Sequence, residues 1–289
     1  MKSRENQYCW PKAEAVYPDR PGRSYVLKRL RYRLRAFLHR GLIAQFEQFI
    51  NQHPFLVKLL NEHADYSYPL VYRFLDKRFN GKQRFQAICD NLLFLPKKLT
   101  ALSVPIYKTP LSFGEVIPDF EMTLSMSTHQ PMEGYWVLEL WHKPRNELVY
   151  LLTFAKLGEA LLISVVQGPN FDGSKEMVKQ LTKTCHGLRP AYLMVETMKA
   201  LTKALGFNQL LGIPQKYQNK SRFIQSSHYV VDYDAIFAES GGQLKGYWEL
   251  PLEIDRNLDD VPSKKRSMYR KRYAMLDDLA KVIEETLGL

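Results

Sequence analysis

Residues 161–213 decide the fold, and they read LLISVVQGPNFDGSKEMVKQLTKTCHGLRPAYLMVETMKALTKALGFNQLLGI. The apolar run at 161–166 predicts a buried strand, and residues 209–213 predict a second one. Between the two strands, apolar residues at helical spacing predict one helix at about 175–185 and another at about 190–205. Strand, helices and strand together form a β-α-β crossover, which predicts that the two strands are parallel neighbours.

The rest of the chain changes its pattern near residue 100. Residues 1–24 are polar and broken by proline, which predicts a mobile or loosely docked arm. Residues 25–100 carry apolar stripes at helical spacing and predict a helical region. Residues 101–289 predict an α/β domain that ends in a basic helix. The predicted class is α+β, with the helical region packed on a mixed, mostly antiparallel sheet of about six strands and one β-α-β crossover.

The spacing of apolar residues also predicts the other strands and helices. Period-two alternation predicts strands at 121–128, 135–142, 147–156 and 247–254. Helical spacing predicts helices at 68–79, 84–95, 233–239 and 263–287, and a polar stretch predicts a loop at 215–229.

Residues 26–40 combine apolar and cationic side chains at helical spacing. The apolar positions are Val26, Leu27, Leu30, Leu34, Phe37 and Leu38, and the cations are Lys28, Arg29, Arg31, Arg33, Arg35 and Arg40. Such a helix is typical of proteins that dock on an anionic membrane surface. The pattern is also typical of an ordinary surface helix with a solvated charged face.

The amino-acid composition indicates which classes of partner the protein favours. The 289 residues carry a formal net charge of +11, which favours anionic lipid, nucleic acid or a phosphorylated ligand as partner. The sequence contains no apolar run of about 18–20 residues and no apolar core of a signal peptide near its start. These features predict a cytoplasmic protein that associates peripherally with the inner membrane. The cysteines Cys9, Cys89 and Cys185 are scattered, so no disulfide framework or metal site is predicted.

Several motifs together resemble one bacterial family. They are VVQGP, QLTKTCHGLRPAYLMVETMKALTKALGF, LLGI, YDAIFAESGGQ, YWELPL and SKKRSMYRKRYAMLDDL. In order and spacing they resemble the VirK/YbjX family, also called the domain of unknown function 535 family, over about residues 68–278. The resemblance implies a role in virulence, envelope maintenance and survival of cationic antimicrobial peptides, and it supplies no reaction.

The predicted order of strands and helices also resembles the core of GNAT-type acyltransferases, which implies an acyl-CoA, acyl carrier protein or aminoacyl-tRNA donor. The residues that would hold the phosphates of such a donor are Gln167, Gly168, Gly187 and Arg189. His186 and Glu139 are candidate bases, because histidine titrates near neutrality and Glu139 lies in an apolar strand. The alternative is structural: a turn that joins two helices, and a buried hydrogen-bonded carboxylate.

The last helix begins with a second cationic run: Lys264, Lys265, Arg266, Arg270, Lys271 and Arg272. Interleaved with tyrosine, these cations fit phosphates of nucleic acid or of lipid headgroups, or they form a solvated face paired with later acidic residues. Two functions therefore stay open. One is a GNAT-like acyl- or aminoacyl-transferase that acts on an envelope precursor, and the other is a non-enzymatic adaptor that binds a membrane or a polyanion. A cavity between the sheet and the 186–189 turn would distinguish them.

Overall fold

The computed structural model describes residues 7–22, 24–127, 131–219, 232–259 and 261–288. Within them, eight strands form one mixed sheet in the order β1-β2-β3-β4-β5-β6-β8-β7. The strands are β1 (Leu111–Ile117), β2 (Phe120–Met126), β3 (Trp136–His142), β4 (Glu147–Leu157), β5 (Ala160–Gln167), β6 (Leu210–Gly212), β7 (Gln243–Lys245) and β8 (Tyr247–Leu250).

The strand directions confirm the sheet type predicted from the sequence. Only β5 and β6 run parallel, and they are the two strands of the crossover. Every other neighbouring pair in the described sheet is antiparallel. The prediction of about six strands was too low. It missed β1, whose pairing with β2 is broken by bulges, and β7, whose three residues are all exposed.

The described chain contains nine α-helices, some of which pack on the sheet. Helices α5 and α7 pack on β4, while α9 packs on α7 and β1. The helices are α1 (Ala13–Val16), α2 (Val26–Leu38), α3 (Arg40–Asn51), α4 (Pro54–Glu62), α5 (Gly81–Lys98), α6 (Ser174–Thr184), α7 (Pro190–Ala204), α8 (Tyr233–Glu239) and α9 (Ser263–Leu287).

The helix predicted at 68–79 is wrong. A 3-10 helix spans Ala64–Val71, and the chain then turns through Leu75, whose φ is 54°. Pro69 lacks a backbone donor, and the Asp76 carboxylate accepts from the Arg78 backbone N–H, so both residues oppose an α-helix locally.

The sequence predicts a mobile or loosely docked N-terminal arm, and where the structure describes this segment it packs on the helical region. Tyr8 is 1% exposed, and its hydroxyl lies 2.7 Å from the Ser67 Oγ. The Trp10 backbone N–H donates to the Glu47 carboxylate at 2.7 Å. Residues 1–6 of the predicted arm, and the predicted loop from residue 220 onward, lie outside the described residues.

Candidate functional site

Helix α2 turns its apolar stripe outward. Six apolar side chains of this helix are 59–67% exposed: Val26, Leu27, Leu30, Leu34, Phe37 and Leu38. We call this set the apolar arc, because at about 100° per residue it spans roughly 120° of the helix surface without a gap. Tyr32 lies on the opposite side of α2 and is 2% exposed. The apolar arc therefore points away from the protein body.

Aromatic and polar contacts hold α2 in this orientation. Tyr32 stacks on Trp10, with ring centroids 6.2 Å apart, and its hydroxyl donates to the Pro11 carbonyl at 2.8 Å. Arg35 donates to the Tyr68 hydroxyl at 2.8 Å. A surface helix normally buries its apolar stripe. Here the inner face is instead fixed by a tyrosine and an arginine, which leaves the apolar arc uncovered.

Cations border the apolar arc on both sides. Arg31 follows one edge of the arc and is exposed, and within the described chain it makes no hydrogen bond or ion pair. Arg33 follows the other edge and pairs with Glu14. Beyond the helix end, the Arg40 guanidinium lies 5.3 Å from the centre of the Phe37 ring. The arrangement, apolar in the middle and cationic at its borders, matches the layered chemistry of an anionic lipid interface.

In the 186–189 turn, predicted to hold a phosphorylated donor, backbone N–H groups are already bonded within the protein. The backbone N–H groups of His186, Gly187 and Leu188 donate to carbonyls at the end of α6. Arg272 donates twice to the His186 carbonyl, at 2.9 and 3.2 Å. Arg189 is exposed beside Tyr192. The turn thus ends α6 and contacts α9.

A cysteine nucleophile next to this turn is disfavoured. Cys185 is fully buried, and burial raises the pKa of its thiol to about 12. The reactive thiolate is therefore scarce at neutral pH.

Two other predicted site residues share one sheet face. Glu139 on β3 pairs with Leu151 on β4, which pairs with Gln167 on β5, so Glu139 and Gln167 lie about 10 Å apart across the sheet. Glu139 is 8% exposed and its Oε2 accepts from the Ser125 hydroxyl at 3.3 Å. Gly168 follows with its backbone against the Tyr150 ring, which a Cβ would approach to 3.0 Å. Glu139 and Gln167 therefore share a sheet face without touching, and Gly168 follows Gln167 in the chain. His186, Gly187 and Arg189 belong to a separate turn beside α9.

Two cavities of the described chain lie beside its N-terminal segment. Each is an open cleft, with a volume of about 430 Å³ for the first and 390 Å³ for the second. The first is lined by Gln7, Tyr8, Cys9, Glu47, Gln48, Asn51 and Gln52, and the second by Trp10, Pro11, Lys12, Ala13, Glu14, Tyr32, Arg33 and Ala36. Neither contacts a residue predicted for catalysis or donor binding. Sequence reasoning missed both, although the aromatic residues among the prolines of residues 1–24 were a signal that this segment docks.

The cationic run of α9 divides into two groups. Lys264, Lys265, Arg270 and Lys271 are exposed, and their side chains make no hydrogen bond or ion pair with other described residues. Arg266 and Arg272 are half-buried and donate to backbone carbonyls, Arg266 to that of Val261 and Arg272 to that of His186. Four of the six predicted polyanion-binding cations therefore remain available to a partner.

Replacement of Arg272 by alanine is expected to lower the free energy of unfolding by about 1.5 kcal/mol, because it removes two charged donors from a carbonyl at the end of α6. Its neighbour Lys271 is exposed, so Lys271→Ala should change the free energy by less than about 0.5 kcal/mol. Urea denaturation of the two variants tests this. Equal midpoints would contradict a structural role for Arg272.

Among the helices that the structure describes, none combines the length and the apolarity needed to cross a bilayer. The protein has an α+β fold with a mixed sheet, and one surface helix, α2, exposes an apolar arc between cations. The chain belongs to the family described as "Protein of unknown function (DUF535)", whose sequence model matches residues 21–285.

Three relatives place the chain within this family. An uncharacterized protein of Haemophilus influenzae is 80% identical over 98% of this chain and 97% of that protein. A Mannheimia haemolytica protein named "Membrane protein LapB" is 64% identical over 75% of this chain and 96% of that protein. The Escherichia coli protein YbjX is 24% identical over 89% of this chain and 83% of that protein. No solved structure matches the chain.

Proposed function

We propose that this chain is a peripheral membrane protein of the bacterial envelope that binds the cytoplasmic face of the inner membrane through α2. The observation that carries the proposal is the apolar arc, whose six side chains are 59–67% exposed. Besides these six, Leu244 is the other large apolar residue that stands exposed in the described chain. Exposed apolar surface concentrated on one helix marks an interaction site.

The free energy gained when the apolar arc inserts into a membrane is large enough for reversible binding. Full burial of one such side chain contributes about 1.5–3 kcal/mol, so burying the exposed parts of six contributes on the order of 5–10 kcal/mol before the costs of association. Each cation near an anionic surface adds about 1 kcal/mol. Helices of this kind lie in the plane of the interface, about 5–10 Å deep.

The relatives and the family resemblance agree with a membrane surface as the place of action. One relative is named a membrane protein. The resemblance implies envelope maintenance, virulence and survival of cationic antimicrobial peptides, and such peptides act on the same anionic lipids.

The acyl- or aminoacyl-transferase stays a prediction from the GNAT resemblance. A transferase needs a concave site with converging polar groups. Two open clefts of the described chain lie beside residues 7–14, and neither is lined by Glu139 or His186. Because the exposed apolar arc is a direct observation that favours docking on a membrane, we propose the membrane adaptor ahead of the transferase.

Flotation with vesicles tests the proposal. The full chain should float with phosphatidylglycerol vesicles at moderate salt and bind at least about tenfold more weakly to phosphatidylcholine vesicles, because the latter lack the electrostatic contribution. Raised salt should weaken binding without abolishing it, since insertion of the apolar arc is insensitive to screening. No flotation with either vesicle would contradict the proposed function.

A further inference from the structure

A cleft opens along the Arg33 edge of the apolar arc. It has a volume of about 390 Å³, and its walls are residues 10–14 of the N-terminal segment and the Tyr32, Arg33 and Ala36 side of α2. We call it the edge cleft. The Trp10–Tyr32 stack and Pro11 supply its apolar part. Lys12, Glu14 and Arg33 supply its charged part.

The charges in the edge cleft can be exchanged. Arg33 pairs with Glu14, and their side chains remain 62% and 51% exposed. Exposed ion pairs of this kind contribute little net stability, so another anion can replace the carboxylate. Lys12 is exposed and forms no ion pair within the described chain, so it adds a second cation on the same wall. A phosphate monoanion in the place of the Glu14 carboxylate would meet two cations, and a planar guanidinium binds it with two parallel hydrogen bonds.

We infer that the edge cleft binds the phosphate headgroup of an anionic phospholipid, and that Glu14 is the internal counterion which this phosphate displaces from Arg33. The inference rests on the proposed function, because it places the cleft at headgroup level beside the inserted apolar arc. It deepens that function in two ways. It assigns the preference for anionic lipid to particular residues. It also predicts that Glu14 lowers the membrane affinity by competing with the phosphate for Arg33.

The neighbouring surface selects a lipid over other phosphate carriers. Arg33 directly follows the apolar arc around the helix, so a ligand held by Arg33 also faces Val26 and Phe37, which are 66% and 65% exposed. A phospholipid offers acyl chains to these side chains and a phosphate to the guanidinium. Free phosphate offers no apolar counterpart, and duplex nucleic acid keeps its base faces stacked inside, so both would leave the arc in water.

The test compares variants with equal charge changes. Glu14→Gln should strengthen binding to phosphatidylglycerol vesicles about fivefold, because it releases one cation worth about 1 kcal/mol at the surface. Glu176→Gln is the control with the same charge change, since Glu176 forms a likewise exposed ion pair with Lys179 on α6. Its effect should stay below about twofold. Arg33→Gln should weaken binding about fivefold, and Lys179→Gln is its control.

A double variant separates the cleft from overall charge. In an Arg33→Gln background, Glu14→Gln should lose its strengthening effect, because Glu14 acts by occupying Arg33. A gain that persists in that background, or a gain equal to that of Glu176→Gln, overturns the inference. Wild-type binding to phosphatidylglycerol vesicles would then still support the proposed function, so the two failures are distinguishable.

Soluble glycerol phosphate distinguishes the source of the phosphate. At the concentration of accessible phosphatidylglycerol in the assay, it should release less than about a tenth of the bound wild-type protein, because it provides no acyl chains to the apolar arc. Release as complete as that caused by Arg33→Gln would assign the cleft to free phosphate esters and overturn the lipid assignment.

Discussion

Asp76→Ala is expected to lower the free energy of unfolding by about 3 kcal/mol, because it removes the acceptor at the centre of a buried polar cluster. The Asp76 side chain is 0% exposed. It accepts from Arg78 Nη2 at 2.6 Å, from the Arg78 backbone N–H at 2.8 Å and from the Tyr247 hydroxyl at 2.8 Å. These bonds join the N-terminal helical region to β8, and hydrogen bonding to Asp76 raises the pKa of Arg78.

Asp278→Ala is the matched control for this change. Asp278 is exposed on α9 and makes no hydrogen bond or ion pair with another described residue. Its replacement should change the free energy of unfolding by less than about 0.5 kcal/mol. Chemical denaturation measures both variants, and a small effect for Asp76 would mean that the cluster does not connect the two parts of the fold.

Leu30→Ser and Leu34→Ser together are expected to weaken vesicle binding about 50-fold, since each removes roughly 1–1.5 kcal/mol of apolar insertion. Both leucines are 59% exposed, so the fold should keep its thermal midpoint. The double variant leaves every charge in place, which separates insertion from electrostatic attraction.

Leu244→Ser is the control for the apolar arc. Leu244 is 51% exposed on β7, outside α2, and its loss should change vesicle binding by less than about twofold. If the Leu30/Leu34 variant floats as well as the wild type, α2 does not insert.

The sequence predicted the crossover because its signals are local. Apolar runs define β5 and β6, and Pro190 marks the start of α7. The same reasoning failed at 68–79, where the tertiary contacts of Asp76 with Tyr247 compete with helical spacing. Those contacts connect residues 171 positions apart, and no local pattern contains them.

Sequence patterns also could not predict which side of α2 packs against the protein body. Helical spacing defines the apolar arc but does not say whether the arc or the Tyr32 side faces the body. The structure decides this through Trp10 and Pro11, which contact Tyr32 from a segment that the composition predicts to be mobile or loosely docked. Likewise, no sequence pattern in α9 distinguishes Arg272 from the exposed Lys271. Arg272 donates to the His186 carbonyl just after the end of α6.

The most direct test of the account places a fluorescent label on the apolar arc. In a Cys9→Ser chain, Leu34→Cys offers the exposed thiol, since Cys89 and Cys185 are buried. With phosphatidylglycerol vesicles, an environment-sensitive label at position 34 should shift to the blue and be quenched by brominated acyl chains, whereas a label at Asp278→Cys should stay in water. A label at position 34 that remains in water while the chain is bound to vesicles would contradict insertion of α2.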